Sequence, residues 1–351
     1  MKKEYDAALR ALLKEGLLKN RRANALRVTA LAILLGIVWT GTAGAETKPM
    51  GVPDKSFPES VTSTRDGTLY VGSFNLGGVL KIAPDGKTEQ LVKPGADGTR
   101  STLGVLADER SGTLFVCSND ISGFGVAGPS DTKGAWLKTF DLKSGAPKGS
   151  FALKDPKSLC NDITVAGDGT AYITDSFAPF IYSLKPGGTS LEVWATDPLL
   201  APAKDGVGID GIAIGADGNV YVNTYIPAKL FRISAKDGKA GAVSELKTSR
   251  PLDHADAMRS FGNGFLMIEG NGKLDKITVQ GDEANVENLG KEHDAEMGEN
   301  SCQPFGLRPK SRLTASAAST YCRYALRRPP CHPRFWLATR TRVIMLGTLR
   351  T

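Results

Sequence analysis

Four strand-like segments of the chain begin with a side chain that carries oxygen. They start at Glu59, Asn161, Asp210 and Asp256, and each continues into alternating apolar residues, as in "NDITV" and "DGIAI". Carboxylate and amide oxygens are hard ligands that suit calcium, magnesium or manganese and can also hold zinc. If the fold brings these residues together, their charges repel one another unless a cation lies among them. The pattern predicts one divalent metal ion, calcium first, bound by these four residues.

The four segments belong to a repeat that occurs five times. Each copy has an apolar-x-apolar stretch, a turn with glycine, and then an aromatic or apolar pair, and the turn glycines are 45, 57, 49 and 46 residues apart: Gly67, Gly112, Gly169, Gly218 and Gly264. Further strands with their own turns, such as "GGVLKIAPDGK", lie between the copies. Period-2 alternation around Asp-Gly turns, repeated at this distance, is typical of β-propeller blades.

The predicted fold is therefore an all-β β-propeller. The resemblance of these repeats to a known family implies six blades. In such a fold the inner strand of every blade lines a central channel, and the residue that enters this strand points at the channel mouth. The entry positions of the five copies are Glu59, Leu103, Asn161, Asp210 and Asp256. Asp162 is expected to support the metal or the substrate from behind Asn161.

The alternative is that these acids only make turns, because Asp or Asn before a strand often binds its own backbone. We expect this simpler role for the aspartates of the Asp-Gly turns, which are Asp66, Asp85, Asp168 and Asp217. Asp175, after "YIT", faces either the channel or a turn. His254 is a candidate for proton transfer, although a single loop histidine is more often a surface residue.

The net charge of +7 is concentrated at the two ends of the chain. Residues 1–45 contain eight Lys/Arg and three Asp/Glu, and residues 307–351 contain ten Lys/Arg and no acid. The remaining body holds 26 of the 44 basic and 34 of the 37 acidic residues, so it is acidic. An acidic body argues against nucleic acid as a partner.

The N-terminus has the pattern of a secretory signal. Basic residues precede the apolar run "VTALAILLGIVW" (28–39), and small residues follow at Ala43 and Ala45. Twelve apolar residues are short for a membrane span, which needs about 20. We expect a signal peptide at 1–45 with cleavage after Ala45, no stable membrane insertion afterwards, and a periplasmic or secreted protein. An uncleaved N-terminal anchor is the alternative.

The predicted propeller domain covers residues 46–306 and the tail covers 307–351. "NSCQPFGL" (300–307) resembles the start of a sixth inner strand, but the following sequence has no alternation. This change of composition is typical of translation in a shifted frame, so we expect an aberrant basic tail and an incomplete or disrupted sixth blade. A basic tail that binds membrane or nucleic acid is the alternative. Cys117 and Cys160 are expected to be packing residues, with a disulfide between them as the second option.

The repeats resemble those of the family of senescence marker protein 30, gluconolactonase and related lactonases, over residues 55–306. The motifs that carry the resemblance are "FPES" with Glu59, "CND" with Asn161, "IDGIAI" with Asp210 and "ADAM" with Asp256. Two positions differ from the family pattern: Ala257 replaces a glycine, and Leu159 stands where sugar-lactone members carry arginine.

The resemblance implies a metal-dependent hydrolase that opens a small lactone ring with a metal-activated water. Asp210 and Asp256 are then the catalytic candidates, one as base and one as ligand, and Leu159 implies a preference for hydrophobic over sugar lactones. The alternative is a non-catalytic periplasmic propeller with a structural metal, which binds a ligand or a protein partner. Lactone hydrolysis that depends on metal separates the two.

Overall fold

The computed structural model describes residues 50–204 and 206–289, together with the backbone of 312–313. All of them belong to one compact unit. The first strand, β1 (Met50–Gly51), pairs in antiparallel fashion with the short strand Arg312–Leu313. The signal segment, the predicted sixth strand at 300–307 and the rest of the tail lie outside the described residues.

Five β-sheets follow β1 within the described residues, and each contains a four-stranded antiparallel meander. The first holds β2 (Pro58–Ser63), β3 (Leu69–Ser73), β4 (Val79–Ile82) and β5 (Thr88–Val92). The second holds β6 (Ser101–Asp108), β7 (Thr113–Asn119), β8 (Ala135–Asp141) and β9 (Pro147–Ala152). The third holds β10 (Cys160–Val165), β11 (Ala171–Asp175), β12 (Phe180–Leu184) and β13 (Glu192–Thr196).

The fourth and fifth sheets complete the described part. The fourth holds β14 (Ile209–Ile214), β15 (Val220–Thr224), β16 (Lys229–Lys236) and β17 (Lys239–Glu245). The fifth holds β18 (Lys247–Thr248), β19 (Ala255–Phe261), β20 (Gly264–Glu269), β21 (Leu274–Gln280) and β22 (Glu283–Asn288), with β18 added in parallel beside β22. The helices of the described part are short 3₁₀ turns at Ala96–Gly98, Ser122–Phe124 and Pro198–Leu200, and none could cross a membrane.

The first strands of successive sheets contact one another in chain order, from β2 through β6, β10 and β14 to β19. This radial stacking of meanders is a β-propeller, as the repeat predicted. The apolar core consists of layers between neighbouring blades. One layer, for example, joins Phe115 and Leu137 of the second blade to Ile163 and Ile173 of the third.

The turn glycines explain most of the hairpins. Gly67, Gly112, Gly169 and Gly218 have φ values of 84°, 59°, 89° and 78°, a left-handed region that glycine adopts without steric cost. The prediction for the fifth copy was wrong. There the left-handed residue is Gly262, and Gly264 lies in β20, where an added Cβ would stand 2.0 Å from the carbonyl oxygen of Ile277.

The aspartates of the Asp-Gly turns have the expected role. In each turn a carboxylate oxygen accepts the backbone N–H of the residue two positions further on, at 2.8 to 3.1 Å: Asp66 from Thr68, Asp85 from Lys87, Asp168 from Thr170 and Asp217 from Asn219.

The expectation for the cysteines was incomplete. Cys117 and Cys160 are both fully buried in the layer between the second and third blades, and they form a disulfide. The bond joins β7 to the entry of β10, 43 residues further along the chain. The strand pattern predicted that both residues are buried. Their pairing depends on the packing of the second blade against the third, which the strand pattern does not specify.

Candidate functional site: an acidic channel

Every inner strand carries the same irregularity at its entry. The strand register shifts between Pro58 and Val61, and it shifts at the equivalent positions of the other four blades, which are Thr102/Val105, Cys160/Ile163, Ile209/Ile212 and Ala255/Met258. Each shift leaves two residues outside the regular pairing, as in a β-bulge. The first of the two is the predicted entry residue in all five blades: Glu59, Leu103, Asn161, Asp210 and Asp256.

In the first four blades, the second residue of the bulge contacts the inner strand of the next blade. Where this residue is Gly104 or Gly211, an added Cβ would lie 2.1 Å from the carbonyl oxygen of Asn161 or 2.4 Å from that of Asp256. Where it is Ser60, its Oγ accepts the backbone N–H of Val105 at 3.2 Å. The second residue therefore joins neighbouring blades.

Asp210 and Asp256 are nearly fully buried and lie side by side. Burial raises the pKa of Asp210 well above its usual range, and the charges of Asp256 and Asp162 raise it further. Burial and the charge of Glu59 likewise raise the pKa of Asp256, although the N–H of Ala257 donates to its Oδ1 at 2.7 Å. Asp256 Oδ2 is buried and has no donor within the described part.

Glu59 reaches the same cluster from the first blade. Burial raises the pKa of its carboxyl well above the usual range, as do the charges of Asp210 and Asp162, while Arg259 lowers it in part. Asn161 joins from the third blade, where a side-chain hydrogen bond to Asp210 lowers the pKa of that carboxyl. The Nδ2 of Asn161 also donates to Ser176 Oγ at 2.8 Å. The four predicted residues therefore converge, as the equivalence of their blades requires.

The sequence analysis missed Arg259, a residue of β19 that also reaches this cluster. Its Nη1 lies 2.8 and 2.6 Å from the two carboxylate oxygens of Asp162, and its Nη2 lies 3.5 Å from Ser60 Oγ. Alignment of the five repeats could have identified it. Arg259 lies three residues after the entry residue Asp256, and the equivalent residues of the other blades are uncharged: Thr62, Leu106, Thr164 and Ala213. An arginine in that set is the exception that a register comparison would have found.

The two further candidates, Asp175 and His254, are not part of the cluster, and their contacts fit structural roles. Asp175 is fully buried, and its Oδ1 accepts the N–H groups of Leu159 and Phe177 at 3.0 and 3.1 Å, so it fixes a loop. His254 has a left-handed backbone, lies 2.5 Å from an Asp253 oxygen through Nδ1, and packs against the ring of Tyr225. Its side chain is 44% exposed, which fits a surface residue.

Leu159 packs partly buried against the core layer between the second and third blades. The lack of arginine at this position does not leave the channel without a guanidinium, because Arg259 supplies one from the fifth blade.

The donor chemistry of the cluster fits a hard divalent cation. Three carboxylates and an amide from four blades face one another, and the buried Oδ2 of Asp256 lacks a donor within the described part. The raised pKa values report the repulsion that a cation would relieve. Within 50–204 and 206–289, however, no three acidic, histidine or cysteine side chains already stand in a metal-binding arrangement, so these side chains must draw closer to hold an ion.

Three solved structures resemble this chain at low identity, and the first of them, with a TM-score of 0.50, supports the propeller fold. A gluconolactonase from Xanthomonas campestris is 18% identical with a TM-score of 0.50, over 69% of this chain and 78% of that one. Regucalcin from Agrobacterium tumefaciens, a calcium-binding protein, is 14% identical with a TM-score of 0.48, over 68% and 75%. A virginiamycin B lyase from Staphylococcus aureus is 17% identical with a TM-score of 0.46, over 67% and 85%.

No protein-family model matches the chain, and no curated protein sequence matches it either. At these identities the structural likeness concerns the fold. The class defined here is an all-β propeller with an acidic central channel.

Proposed function

We propose that this protein is an exported, metal-dependent hydrolase that opens a small lactone, of the kind found among senescence marker protein 30 and gluconolactonase relatives. The observation that carries the proposal is the convergence of Glu59, Asn161, Asp210 and Asp256 at one bulge position of four blades. Repulsion among buried carboxylates lowers the stability of the folded protein, and such unfavourable arrangements occur mainly at functional sites.

Glu59, Asn161 and one of the two aspartates would hold the ion, with calcium first and zinc, manganese or magnesium as alternatives. When bound, a divalent cation polarises a lactone carbonyl and lowers the pKa of a water molecule. The other aspartate takes the proton from the attacking water and returns it to the leaving alkoxide. Asp210 and Asp256 are adjacent enough to exchange that proton, so either can serve as the base.

Export is supported by the disulfide between Cys117 and Cys160, because disulfides form and persist mainly in oxidising compartments. It agrees with the signal-like segment before Glu46, which we propose is removed after Ala45 in the periplasm or on secretion.

The test is hydrolysis of a panel of sugar and alkyl lactones, with and without chelator. We expect chelator-sensitive hydrolysis that added calcium restores, a preference for alkyl lactones, and a shift toward sugar lactones in Leu159→Arg. Glu59→Gln should lose the calcium response. The assay uses the chain with the present sequence. In parallel it uses a second chain, whose sequence after residue 300 is corrected by resequencing the gene so that it encodes a regular sixth blade. Better hydrolysis of gluconolactone than of alkyl lactones would refute the specificity argument.

The second candidate function is a non-catalytic propeller that binds a small ligand or a protein partner, with the metal as a structural element. The ion pair between Arg259 and Asp162 favours it, because it already balances one of the clustered carboxylates without a metal. This candidate is favoured over hydrolysis if neither version of the protein hydrolyses any lactone, with or without chelator, while calcium still binds.

A further inference from the structure

Arg259 is held in one orientation across the channel. Its Nη1 donates to both oxygens of Asp162 and to the carbonyl oxygen of Met258, and its Nη2 points to Ser60 Oγ. These contacts connect the fifth blade with the third and the first. An arginine fixed by charge-assisted bonds on one side presents a stationary positive charge to whatever lies beside it.

Asp162 is fully committed by this arrangement. Its side chain is 4% exposed, its Oδ1 accepts the N–H of Ile163 at 2.9 Å, and its Oδ2 accepts the N–H of Ile212 from the next blade at 3.3 Å. With Arg259 added, both oxygens are used. Asp162 is thus the one of the four clustered carboxylates that is already ion-paired, with donors on both of its oxygens.

The remaining three carboxylates have no such partner. Glu59, Asp210 and Asp256 all have a raised pKa, and Arg259 lowers that of Glu59 only in part. The buried Oδ2 of Asp256, a residue that is 2% exposed, has no donor within the described part and faces this group. The cluster therefore contains one carboxylate, Asp162, that is paired with an arginine, and three carboxylates that have no such ion pair within the described part.

We propose that Arg259 is a positioning residue that acts as the resident counter-cation of the channel. It withdraws Asp162 from the ligand set and, through its fixed positive charge, weakens and tunes the affinity of the remaining carboxylates for one divalent ion. The inference rests on the metal of the proposed function but not on lactone hydrolysis. It has an unusual consequence: loss of Arg259 should strengthen metal binding.

Calcium binding to the full chain, stripped with chelator and measured by calorimetry, tests this role. Arg259→Met should bind calcium about tenfold more tightly, because it removes a unit positive charge that lowers the pKa of Glu59 and therefore acts on the carboxylates of the cluster. Arg259→Lys keeps the charge and should stay within about twofold of the parent. Arg232→Met is the matched control, since Arg232 pairs with Asp282 on the rim of the fourth and fifth blades.

A charge-balanced variant protects the test against misfolding. Asp162→Asn combined with Arg259→Met removes both charges of the pair, so it should fold and should bind calcium about as tightly as the parent. Equal or weaker binding by a folded Arg259→Met overturns the role of Arg259. Calcium binding as expected with no lactone opened contradicts only the proposed reaction, and no binding by any variant overturns the metal and this role together.

Discussion

The fifth blade contributes to two buried acidic clusters that differ in how their charge is balanced. In the structural cluster, Glu269 and Asp275 are both fully buried, and Arg250 divides its fork between them, with Nη1 2.8 Å from Glu269 Oε1 and Nη2 on Asp275 Oδ2. The N–H of Asp253 donates to Glu269 as well, at 3.0 Å. Two carboxylates there share one guanidinium, although burial and the charge of Glu269 still raise the pKa of Asp275, and Glu269 Oε2 has no donor within the described part.

In the channel cluster, one guanidinium serves four carboxylates. Arg259 places a single nitrogen on Asp162, while Glu59, Asp210 and Asp256 raise one another's pKa values. Buried acids that share a guanidinium are typical of structural ion pairs, whereas buried acids without one are candidates for a ligand site. The two clusters therefore differ in the ratio of guanidinium groups to carboxylates, one to two in the structural cluster and one to four in the channel cluster.

The largest expected effect is a loss of lactone hydrolysis that occurs when the channel cluster is mutated but not when the structural cluster is mutated. Asp256→Asn should reduce lactone hydrolysis by at least about a thousandfold, because it removes a ligand or a base. Asp275→Asn should leave the turnover of the folded protein unchanged. Initial rates at a temperature where circular dichroism shows both variants folded provide the measurement. Similar loss of activity in both would mean that the clusters do not differ in role.

The second effect is on stability and is expected in the opposite cluster. Arg250→Met should lower the free energy of unfolding by about 3 kcal/mol, because it leaves two buried carboxylates without their cation. Calcium should not repair that loss, whereas any loss in Arg259→Met should be recovered when calcium is added. Urea unfolding with and without calcium measures both. Recovery of Arg250→Met by calcium would show a second cation site in place of a structural one.

The smallest effect is a dependence on pH. The folded-state pKa of Asp210 is raised, so its contribution to metal-free stability is present below the ordinary carboxyl pKa of about 4 and is lost as the pH rises through the raised pKa. Asp210→Asn should therefore raise the melting temperature by about 2–4 °C at pH 8, for roughly 1 kcal/mol, and by less at pH 5. Calcium should remove or reverse this gain. A gain that is the same at both pH values would contradict the repulsion described here.

Much of the fold was predictable because its signals are local. Alternating strands and Asp-Gly turns specify hairpins within about a dozen residues, and four of the five predicted turn glycines have the left-handed backbone expected of them. The fifth was misplaced because "GNG" offers two glycines, and the register of β19 with β20 selects Gly262 for the turn. The sixth blade stays a prediction, since residues 300–307 lie outside the described residues.

The candidate site was predictable as a set of positions but not as a network. Asn161 and Asp162 are adjacent in sequence, yet the bulge directs Asn161 to the channel group and Asp162 to the next blade and to Arg259. Their different roles follow from the inserted residue in the strand, which no composition or period reveals.

The sequence by itself determined the repeat, the hairpins and the oxygen-bearing residue at the entry of four inner strands, because each is a property of a short segment. Only the tertiary structure decided that Arg259 neutralises Asp162, 97 residues away, and that Cys117 bonds to Cys160, 43 residues away. Both contacts join different blades. Their partners are chosen by how one sheet packs on another, and the bulges and close backbone approaches at the channel set that packing.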